Sequence, residues 1–484
     1  MASGDMIMDI STFRGLDESE SGVHRDIRTS PDMANFIIEK GEMKSAPGAR
    51  QWGPALPAAG GETMIMEAAY HREDGTTEFR LIAASAGYLW KLESGAWVQM
   101  GSGYKSDRWD AINYRKDTEE WHIIANGEDP IQYSARDSAA YSELEGAPAS
   151  GKYIALSDER LWLGGIKEDQ EIVYWSWDND PNNWAVDLEN PEQGGGFIYI
   201  RTHDGTKVIA VKALLNDVVI FKDRSLHRIT GSYPGEYELI NVYGSSGPIS
   251  ENTIVAAGAN VYFLCAEGLC VYNGVTVETL ALSGGDNRLV SLAKRINRAA
   301  AERACSVIYK DVMYIAMPID GSEVNNAVVV FDMTENIYTL LTGYRVDSWL
   351  VRHEESSETL LFAREGRIME MAGDTNDGEM INAHWLSPWF DSGTKSARKT
   401  SGRVYISLEA QSMVENELPK IKLTMVSEKK RREKIVEIKR EGINVIRPRV
   451  KLRGRILRMG IETVEGTRLT IHQGIQIKVE SDED

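Results

Sequence analysis

Residues 257–274 read AGANVYFLCAEGLCVYNG, and this stretch decides the predicted fold class of the chain. Two short apolar runs, residues 261–265 and 269–272, flank a tight Ala-Glu-Gly turn. Asn273-Gly274 then gives the strongest two-residue hairpin signal, because both positions of that turn need positive φ. Adjacent positions within each run are apolar, which is typical of strands that are covered on both faces. The pattern predicts a β-meander packed between two similar sheets, as in a β-propeller.

Similar apolar runs, each opening a strand-turn-strand unit, recur along most of the chain. They are centred on seven residues: Ile82, Ile124, Trp162, Val219, Tyr262, Tyr314 and Leu361. Their separations of 42, 38, 57, 43, 52 and 47 residues fall in or near the roughly 40–50 residues of a four-stranded blade. The sequence therefore predicts an all-β fold with a β-propeller of about seven blades. The alternative is an irregular array of β-sandwiches, in which short strands recur only because short strands are common.

The two ends of the chain differ from this repeating part. Residues 33–48 predict a hairpin that turns at Lys40-Gly41, and an N-terminal strand is predicted to complete the last blade and close the propeller. After a polar, turn-rich segment, residues 372–378, the chain alternates between apolar and polar residues in seven runs: 404–408, 421–426, 435–438, 450–452, 456–461, 469–471 and 475–479. Seven strands in so short a segment predict a β-sandwich. The predicted domains are a propeller over residues 1–375 and a C-terminal sandwich over residues 376–484.

One segment, residues 286–304, has helical periodicity. Its apolar residues fall on one face at i, i+3 and i+4 spacing, whereas basic residues occupy much of the remainder: Leu289, Leu292, Ala293, Ile296 and Ala300 against Arg288, Lys294, Arg295, Arg298 and Arg303. The pattern predicts one amphipathic helix inserted between the fifth and sixth units. We expect the apolar stripe to pack on its own propeller. The basic face is either solvated or docked on an acidic neighbouring subunit, so the candidate partner contacts are Arg288, Lys294, Arg295 and Arg298.

A second basic cluster lies in the C-terminal segment, where residues 428–434 read EKKRREK between two predicted strands. Such a hairpin tip usually protects an edge strand against aggregation. The alternative is a contact with DNA phosphates or with an acidic partner. The candidate residues for that contact are Lys429, Lys430, Arg431 and Arg432.

Charge is distributed unevenly along the 484 residues, whose net charge is −19. Residues 376–484 hold 21 basic and 16 acidic residues, a net of +5, so the first 375 residues hold 33 against 57, a net of −24. An acidic body of this kind is a poor candidate for gripping nucleic acid, which normally meets a basic face. The asymmetry indicates two domains with different partners.

Targeting and redox features indicate folding inside a cell. The three cysteines, Cys265, Cys270 and Cys305, are too few and too widely spaced for a disulfide framework, which favours a reducing cytoplasm. The N-terminus lacks the features of a standard signal peptide. No run approaches the ~20 apolar residues of a membrane span. We therefore expect a soluble protein without a membrane span.

Catalytic motifs are not recognisable in the sequence. P-loop, HExxH and GxSxG patterns are missing, and the eight histidines are scattered singly. Asp178 and Asp180 could be a calcium pair or part of a sialidase-type Asp box, but Asp180 stands where that box needs glycine and Trp184 falls one residue late. We expect a structural turn capped by the Trp184 ring. No catalytic, cofactor-binding or metal-binding residue is therefore predicted, and the chain is predicted not to be an enzyme.

Several segments together resemble the neck and tail-nozzle proteins of tailed bacteriophages. These segments are FRGLDES (residues 13–19), ANFIIEKGEMKSAPG (34–48), WSWDNDPNNW (175–184), GPISENTIVAAGANVYFLCAEGLCVYNG (247–274), HWLSPWFDSGTKSARK (384–399) and RMGIETVEGTRLTIHQGIQIKV (458–479). The likeness covers most of the chain. The resemblance implies a β-propeller with additional β-domains.

The resemblance also implies a function and a set of partners. The protein is expected to be a structural virion component of the tail or neck, assembled in the host cytoplasm as a homo-oligomeric ring, a hexamer by resemblance. It is expected to contact portal and adaptor proteins and tail or fibre proteins. Double-stranded DNA would be retained and later pass through the channel without sequence recognition, and an acidic wall would let it slide. The alternatives are a glycan- or receptor-binding propeller and, ranked last, a propeller polysaccharide hydrolase.

Overall fold

The computed structural model describes residues 5–19, 25–72, 74–116, 118–148, 150–202, 205–243, 247–266, 268–280, 288–354, 357–391, 397–439 and 442–482. Strands account for most of these residues, and the helical segments within the described ranges are short: the α-helix α1 (Val290–Arg295) and the 3-10 helices Pro234–Glu236, Glu251–Thr253 and Arg298–Arg303. Within the same ranges, no helix has the length and apolar character needed to cross a membrane. The prediction of an all-β chain is confirmed at this level.

Five short strands open the chain, and they belong to different sheets. They are β1 (Asp5–Ile10), β2 (Asp32–Ala34), β3 (Phe36–Glu39), β4 (Glu42–Ser45) and β5 (Arg50–Gln51). β3 and β4 form the predicted hairpin, in which Glu39 pairs with Glu42 across Lys40 and Gly41. Both turn residues have positive φ, as a two-residue hairpin of this type requires.

Seven four-stranded antiparallel sheets make up the middle of the described chain, and we number them sheet 1 to sheet 7. Sheet 1 contains β6 (Met64–His71), β7 (Thr77–Ser85), β8 (Tyr88–Glu93) and β9 (Ala96–Ser102). Sheet 2 contains β10 (Asp110–Lys116), β11 (Glu119–Ala125), β12 (Gln132–Ala135) and β13 (Ser142–Glu143). Sheet 3 contains β14 (Tyr153–Ser157), β15 (Arg160–Gly164), β16 (Ile172–Trp175) and β17 (Gly196–Tyr199). Sheet 4 contains β18 (Val208–Leu214), β19 (Asp217–Lys222), β20 (Leu226–Thr230) and β21 (Glu238–Tyr243).

The remaining three sheets of this series follow the same order. Sheet 5 contains β22 (Val255–Ala257), β23 (Asn260–Leu264), β24 (Leu269–Tyr272) and β25 (Val277–Leu280). Sheet 6 contains β26 (Cys305–Tyr309), β27 (Val312–Met317), β28 (Ala327–Asp332) and β29 (Ile337–Thr342). Sheet 7 contains β30 (Ser348–His353), β31 (Glu358–Arg364) and β32 (Arg367–Glu370), and β5 is its fourth strand. Each of the seven predicted apolar runs is the second strand of its sheet, and the series is consistent with propeller-like blades.

Consecutive sheets pack face to face through buried apolar clusters. Residues of consecutive sheets that share one buried cluster include Ile82 and Ile124 (sheets 1 and 2), Ile123 and Leu163 (2 and 3), Trp162 and Ile220 (3 and 4), Phe221 and Phe263 (4 and 5), Leu264 and Ile315 (5 and 6), and Val328 and Phe362 (6 and 7). Sheet 7 also shares a cluster with sheet 1, in which Leu361 and Ile368 lie with Leu81 and Ala83. Both faces of each sheet are therefore covered, as the adjacent apolar positions predicted.

A strand near the N-terminus, β5, is the fourth strand of sheet 7. In β5, Arg50 pairs with Glu370 and Gln51 with Met369. The Arg50 Nε lies 2.8 Å from a carboxylate oxygen of Glu370. The hairpin of β3 and β4 instead hydrogen-bonds to a strand near the C-terminus.

Two larger sheets combine both ends of the chain. Before their remaining strands, the chain forms a separate two-stranded ladder that contains β33 (Thr375–Asn376) and β34 (Glu379–Met380). The remaining strands of the two larger sheets are β35 (His384–Leu386), β36 (Arg398–Ser412), β37 (Lys420–Ser427), β38 (Arg431–Glu437), β39 (Ile443–Ile446), β40 (Arg453–Gly454), β41 (Leu457–Val464) and β42 (Thr467–Asp482). The order β3-β4-β42-β36-β39 forms one terminal sheet, with β1 on β42 and β40 on β36. The order β2-β35-β41-β37-β38 forms the other. We call them the terminal sheets.

Two details of the predicted C-terminal strands are wrong. Residues 469–471 and 475–479 were predicted as separate strands, but both lie in β42, because β36 and β42 are long enough to pair along most of their length across register shifts. Residues 450–452 form no strand ladder. They are held instead by hydrogen bonds to Ser401 and Gly402.

The predicted helix over residues 286–304 is two short helices. Residues 286 and 287 lie outside the described residues. The α-helix ends at Arg295, because the backbone of Ile296 is extended (ψ 125°) and forms a bridge with Ile319. The Asn297 side chain then accepts a hydrogen bond from the Ala299 N–H and begins the 3-10 helix. Leu289, Leu292, Ile296 and Ala300 are all buried, so the apolar stripe packs on its own chain although the single helix was wrong.

The hairpin after β24 also differs from the predicted two-residue turn. Tyr272 pairs with Val277, so the loop has four residues. Only Gly274 has positive φ, because the Asn273 side-chain oxygen accepts hydrogen bonds from the Val275 and Thr276 N–H groups and stabilises a longer turn. The two strands before this turn, β23 and β24, are those that the sequence predicted.

A buried histidine in β11 gives sheet 2 a predicted pH dependence. The Nδ1 atom of His122 lies 2.6 Å from the Tyr141 hydroxyl, and burial lowers the pKa of His122 to about 3. The unfolded chain takes up a proton near its ordinary pKa of about 6.5, whereas the folded chain does not until about pH 3. Stability from this residue is therefore complete above about pH 6.5 and is lost as the pH falls toward 3.

We expect His122→Gln to reduce acid sensitivity. Between pH 7 and pH 4.5, the free energy of unfolding should fall by about 2–3 kcal/mol less in the variant than in the wild type, at up to ~1.4 kcal/mol per pH unit. Urea unfolding monitored at both pH values measures the difference. Parallel losses in the two proteins would contradict a neutral buried His122.

Candidate polyanion-binding groove

The predicted basic hairpin tip is the turn between β37 and β38. The side chains of Lys429, Lys430, Arg431 and Arg432 are all exposed. The turn is fixed from below by Ser427, whose backbone N–H donates to the Lys430 carbonyl at 2.8 Å and whose hydroxyl accepts from the Lys430 N–H at 3.1 Å. Lys429 and Lys430 therefore project from a defined turn, and Arg431 and Arg432 from the start of β38. Together they form one wall of a groove.

The opposite wall is an extended segment in which every second residue is basic. Residues 449–455 read RVKLRGR, and Arg449, Lys451, Arg453 and Arg455 are exposed, whereas the residues between them are buried. The buried hydroxyl of Ser401 holds this segment in place. It donates to the Val450 carbonyl at 2.7 Å and accepts from the Leu452 N–H at 2.9 Å. Because successive side chains of an extended chain point to opposite sides, all four basic residues face outward together.

Hydrogen bonds join the two walls across the base of the groove. A guanidinium nitrogen of Arg432 donates to the Lys451 carbonyl at 2.8 Å, and the Arg455 N–H donates to the Glu428 carboxylate at 3.1 Å. Below them, Lys399 is fully buried and its Nζ donates to the Arg455 carbonyl at 2.8 Å. Burial lowers the pKa of Lys399. The walls are thus held at a fixed separation.

The groove between these walls encloses about 1170 Å³ and is strongly basic. Eight of its lining residues are basic and two are acidic: Arg398, Lys429, Lys430, Arg431, Arg432, Lys451, Arg453 and Arg455 against Glu428 and Glu480. Arg449 lines a smaller cleft that continues from it past Arg432 and Lys451. We call the whole surface the basic groove.

Many of the basic side chains of the groove form no ion pair within 4.0 Å in the described part of the chain. Arg431 pairs with Glu433 at 2.6 Å. Within the described residues, five further side chains have no carboxylate within 4.0 Å: Lys429, Lys430, Arg449, Lys451 and Arg455. Burial raises the pKa of the Glu428 carboxyl, but hydrogen bonds from backbone N–H groups, together with Lys429, outweigh burial and hold that pKa below its usual value. Glu428 therefore stays ionised and offsets only a small part of the positive charge of the eight basic lining residues.

The other predicted contact residues lie on the two short helices and bind their own chain. Arg295 forms a two-point ion pair with Asp320, with its shorter contact at 2.7 Å, and Arg298 donates to the Ala266 carbonyl at 2.7 Å. Arg288 stacks over the Tyr338 ring and donates to Asn336. Lys294 is exposed and also has an interaction within the chain. None of these four residues lines the basic groove, so the eight predicted contact residues do not form one surface.

Sequence reasoning found one wall of the groove and missed the other. The signal for the second wall was the period-two pattern of residues 449–455, in which basic residues alternate with Val, Leu and Gly. That alternation was interpreted only as a core strand through Val450 and Leu452. Arg398 carried no signal of its own, because pairing between β36 and β42 places it beside the groove.

Acidic clusters elsewhere do not form an ion site in the described part of the chain. No group of three or more His, Cys, Asp or Glu side chains there is arranged to hold a metal. Asp180 lies 2.9 Å from the Lys116 Nζ. Trp184 is buried, and its indole N–H donates to the Pro181 carbonyl at 2.7 Å. The segment around Asp178 is the structural turn that the sequence predicted.

Comparisons with known proteins provide little further information. No protein-family model and no curated protein matches the chain. Among solved structures, the chain is similar to the extracellular domain of a one-component system from B. thetaiotaomicron, with a TM-score of 0.42 and 9% sequence identity. The match covers 88% of this chain and 62% of that chain, so the chain spans less than two thirds of its length. A similarity at this level carries no argument about function.

Proposed function

We propose that the seven four-stranded sheets form one closed propeller of seven blades and that the terminal sheets form a β-sandwich. The contact between sheet 7 and sheet 1 supports closure, because it makes the series of packed sheets circular. One buried cluster contains residues of both terminal sheets, such as Ile406 and Ile475 with Leu423 and Met459, which supports a sandwich. The propeller would then span residues 50–370, and the sandwich would combine β1–β4 with residues 384–482.

Hydrogen bonds between first strands support the same closed arrangement. The first strand of a blade has a free edge whose N–H groups need partners. The Ser348 hydroxyl of sheet 7 accepts from the Ile65 N–H of sheet 1 at 3.0 Å. Asp110 of sheet 2 accepts from the Ile154 N–H of sheet 3 at 3.1 Å and also lies 3.0 Å from Lys212 of sheet 4. Side chains thus join first strands of successive blades around a common axis.

The N-terminal segment joins the two modules, and this is the observation on which the proposed function mainly depends. β4 ends in a terminal sheet at Ser45, and β5 begins in sheet 7 at Arg50. The same segment binds sheet 6, because the Leu16 N–H donates to the Tyr338 carbonyl at 2.7 Å and the Asn35 N–H to the Leu340 carbonyl at 2.8 Å. These contacts resist relative motion of the propeller and the sandwich, a property that suits a load-bearing structural protein.

We infer that this scaffold is a structural virion protein of a tailed bacteriophage, located in the tail at the head-tail junction. Copies of the chain form a homo-oligomeric ring, a hexamer by the resemblance of the sequence, beneath the portal and adaptor. The ring helps to retain packaged double-stranded DNA and lets it pass at ejection. The protein acts without catalysis.

Assembly is the direct test of this function. Purified protein mixed with its portal and adaptor partners should form rings that are visible by electron microscopy and have the mass of several copies by light scattering. A preparation that remains monomeric with those partners, across the concentrations reached in an infected cell, would refute the proposed function.

A further inference from the structure

We propose that the basic groove binds the phosphate backbone of double-stranded DNA without sequence specificity. The groove is lined mainly by Lys and Arg side chains on two facing walls, and such side chains contact phosphates in any sequence. The choice of DNA among polyanions rests on the proposed function. The geometry of the groove favours a long, regular polyanion.

The shape of the groove fits a linear array of anions. Along the extended wall, basic side chains recur at every second residue from Arg449 to Arg455, a repeat of roughly 6.6–6.8 Å. The wall is about 20 Å long at ~3.3 Å per residue. One DNA strand carries a phosphate for about every 3.4 Å of helix axis, so several successive phosphates can lie along a wall of this length. Lys429 and Lys430 on the other wall can contact the same backbone from its opposite side.

The unpaired charges of the groove provide the driving force. Five basic side chains of the groove have no carboxylate partner in the described chain, so they contact phosphates without first breaking an ion pair. Each phosphate contact releases condensed counterions. With about five contacts, the logarithm of the binding constant should fall with the logarithm of salt concentration with a slope of about −4.5.

The position of the groove reconciles DNA binding with the acidic net charge. The eight basic lining residues of the groove all belong to the C-terminal segment, whereas the first 375 residues have a net charge of −24. Phosphates are attracted at the groove and repelled elsewhere. DNA in the channel would therefore be bound only at the basic groove of each copy. The acidic surfaces would repel it and let it slide past.

The test compares groove and control variants of the full-length protein. The groove variant carries Lys429→Gln, Lys430→Gln and Lys451→Gln. The control variant carries Lys40→Gln, Lys105→Gln and Lys310→Gln, which removes the same charge from exposed positions that do not line the groove. A third variant changes the same three groove residues to Arg, which keeps the charge. Thermal unfolding should be the same in all of them, because the substituted side chains are exposed.

Binding is measured by fluorescence anisotropy with a labelled duplex of mixed sequence over a range of salt concentrations. At about 0.1 M salt, we expect the groove variant to bind on the order of 100-fold more weakly, with a salt slope smaller in magnitude by about 2.7. The control and Arg variants should stay within about threefold of the wild type. Wild-type affinity in the groove variant, or an equal loss in the control variant, would overturn the proposal. So would capture of an acidic protein or a sulfated polysaccharide through the groove with no affinity for DNA.

Light scattering on the wild type and the three variants, each mixed with portal and adaptor, separates this inference from the proposed function. Groove-dependent DNA binding by a chain that never forms rings would support the site and refute the ring function. Rings whose DNA affinity is unaffected by the groove substitutions would refute the site and support the ring function.

Discussion

Replacing Arg160 with alanine is expected to lower the free energy of unfolding by about 3 kcal/mol or more. The Arg160 side chain is almost fully buried at the start of β15. One terminal nitrogen donates to the carbonyls of Ser176, Gln193 and Gly194 at 3.0–3.1 Å, and the other donates to the Glu192 carbonyl. The variant would leave four carbonyl groups of the long loop between β16 and β17 without their donor. An unsatisfied buried polar group costs about 1–3 kcal/mol.

Arg136→Ala is the matched control for Arg160. Arg136 is exposed, and its ion pair with Asp137 is also exposed, so its removal should change stability by less than about 0.5 kcal/mol. Chemical unfolding with tryptophan fluorescence measures both variants. Equal stabilities of Arg160→Ala and the wild type would show that the guanidinium does not hold the loop.

Ile10→Ala is the second substitution with a large expected effect, a loss of about 2–4 kcal/mol. Ile10 is fully buried, pairs with Ile475 of β42 and belongs to the cluster that both terminal sheets share. Truncating its side chain leaves a cavity at the point where the two ends of the chain meet. The result therefore tests whether the first strand belongs to the terminal sheets.

Ile7 provides a control in the same strand. It pairs with Lys478 of β42, but 66% of its surface is exposed, so Ile7→Ala should cost less than about 0.5 kcal/mol. Urea unfolding of the two variants side by side measures the difference. Similar small losses in both would mean that β1 does not pack on the core in solution.

Much of the fold could be predicted from local sequence patterns, because strand burial and turn conformation depend mainly on neighbouring residues. Adjacent apolar residues, as in residues 261–264, mark a strand covered on both faces, and each of the seven recurring runs is the second strand of a sheet. The Lys40-Gly41 turn was equally readable, because positive φ at both positions is favoured by few sequences. The hairpin and the second strands could therefore be predicted without knowledge of their partners.

Pairing between distant residues could not be read from the same patterns. β1 pairs with β42 across more than 460 residues of sequence, and no periodicity within either strand specifies that partner. The helix prediction was wrong for a related reason. The backbone bridge from Ile296 to Ile319 competes with continuation of the helix, and that bridge depends on tertiary contacts.

The basic groove contains one wall that could be predicted from the local sequence and one that could not. Lys429, Lys430, Arg431 and Arg432 form a charge cluster that is visible in the sequence. The second wall depends on a tertiary contact. Ser401 holds residues 450–452 in an extended form, and the exposed basic residues of the segment therefore face outward. The two walls belong to different terminal sheets, so the strand pairing must be known before their charges can be assigned to one site.

An electron cryomicroscopy map of the protein assembled with its portal and adaptor tests the central claim most directly. The account predicts a closed ring of identical copies, each with a seven-bladed propeller joined to a sandwich, and with the groove residues Lys429, Lys451 and Arg455 facing the lumen that DNA occupies. A monomer bound singly to its partners, or a ring whose grooves face outward and away from the DNA, would contradict it.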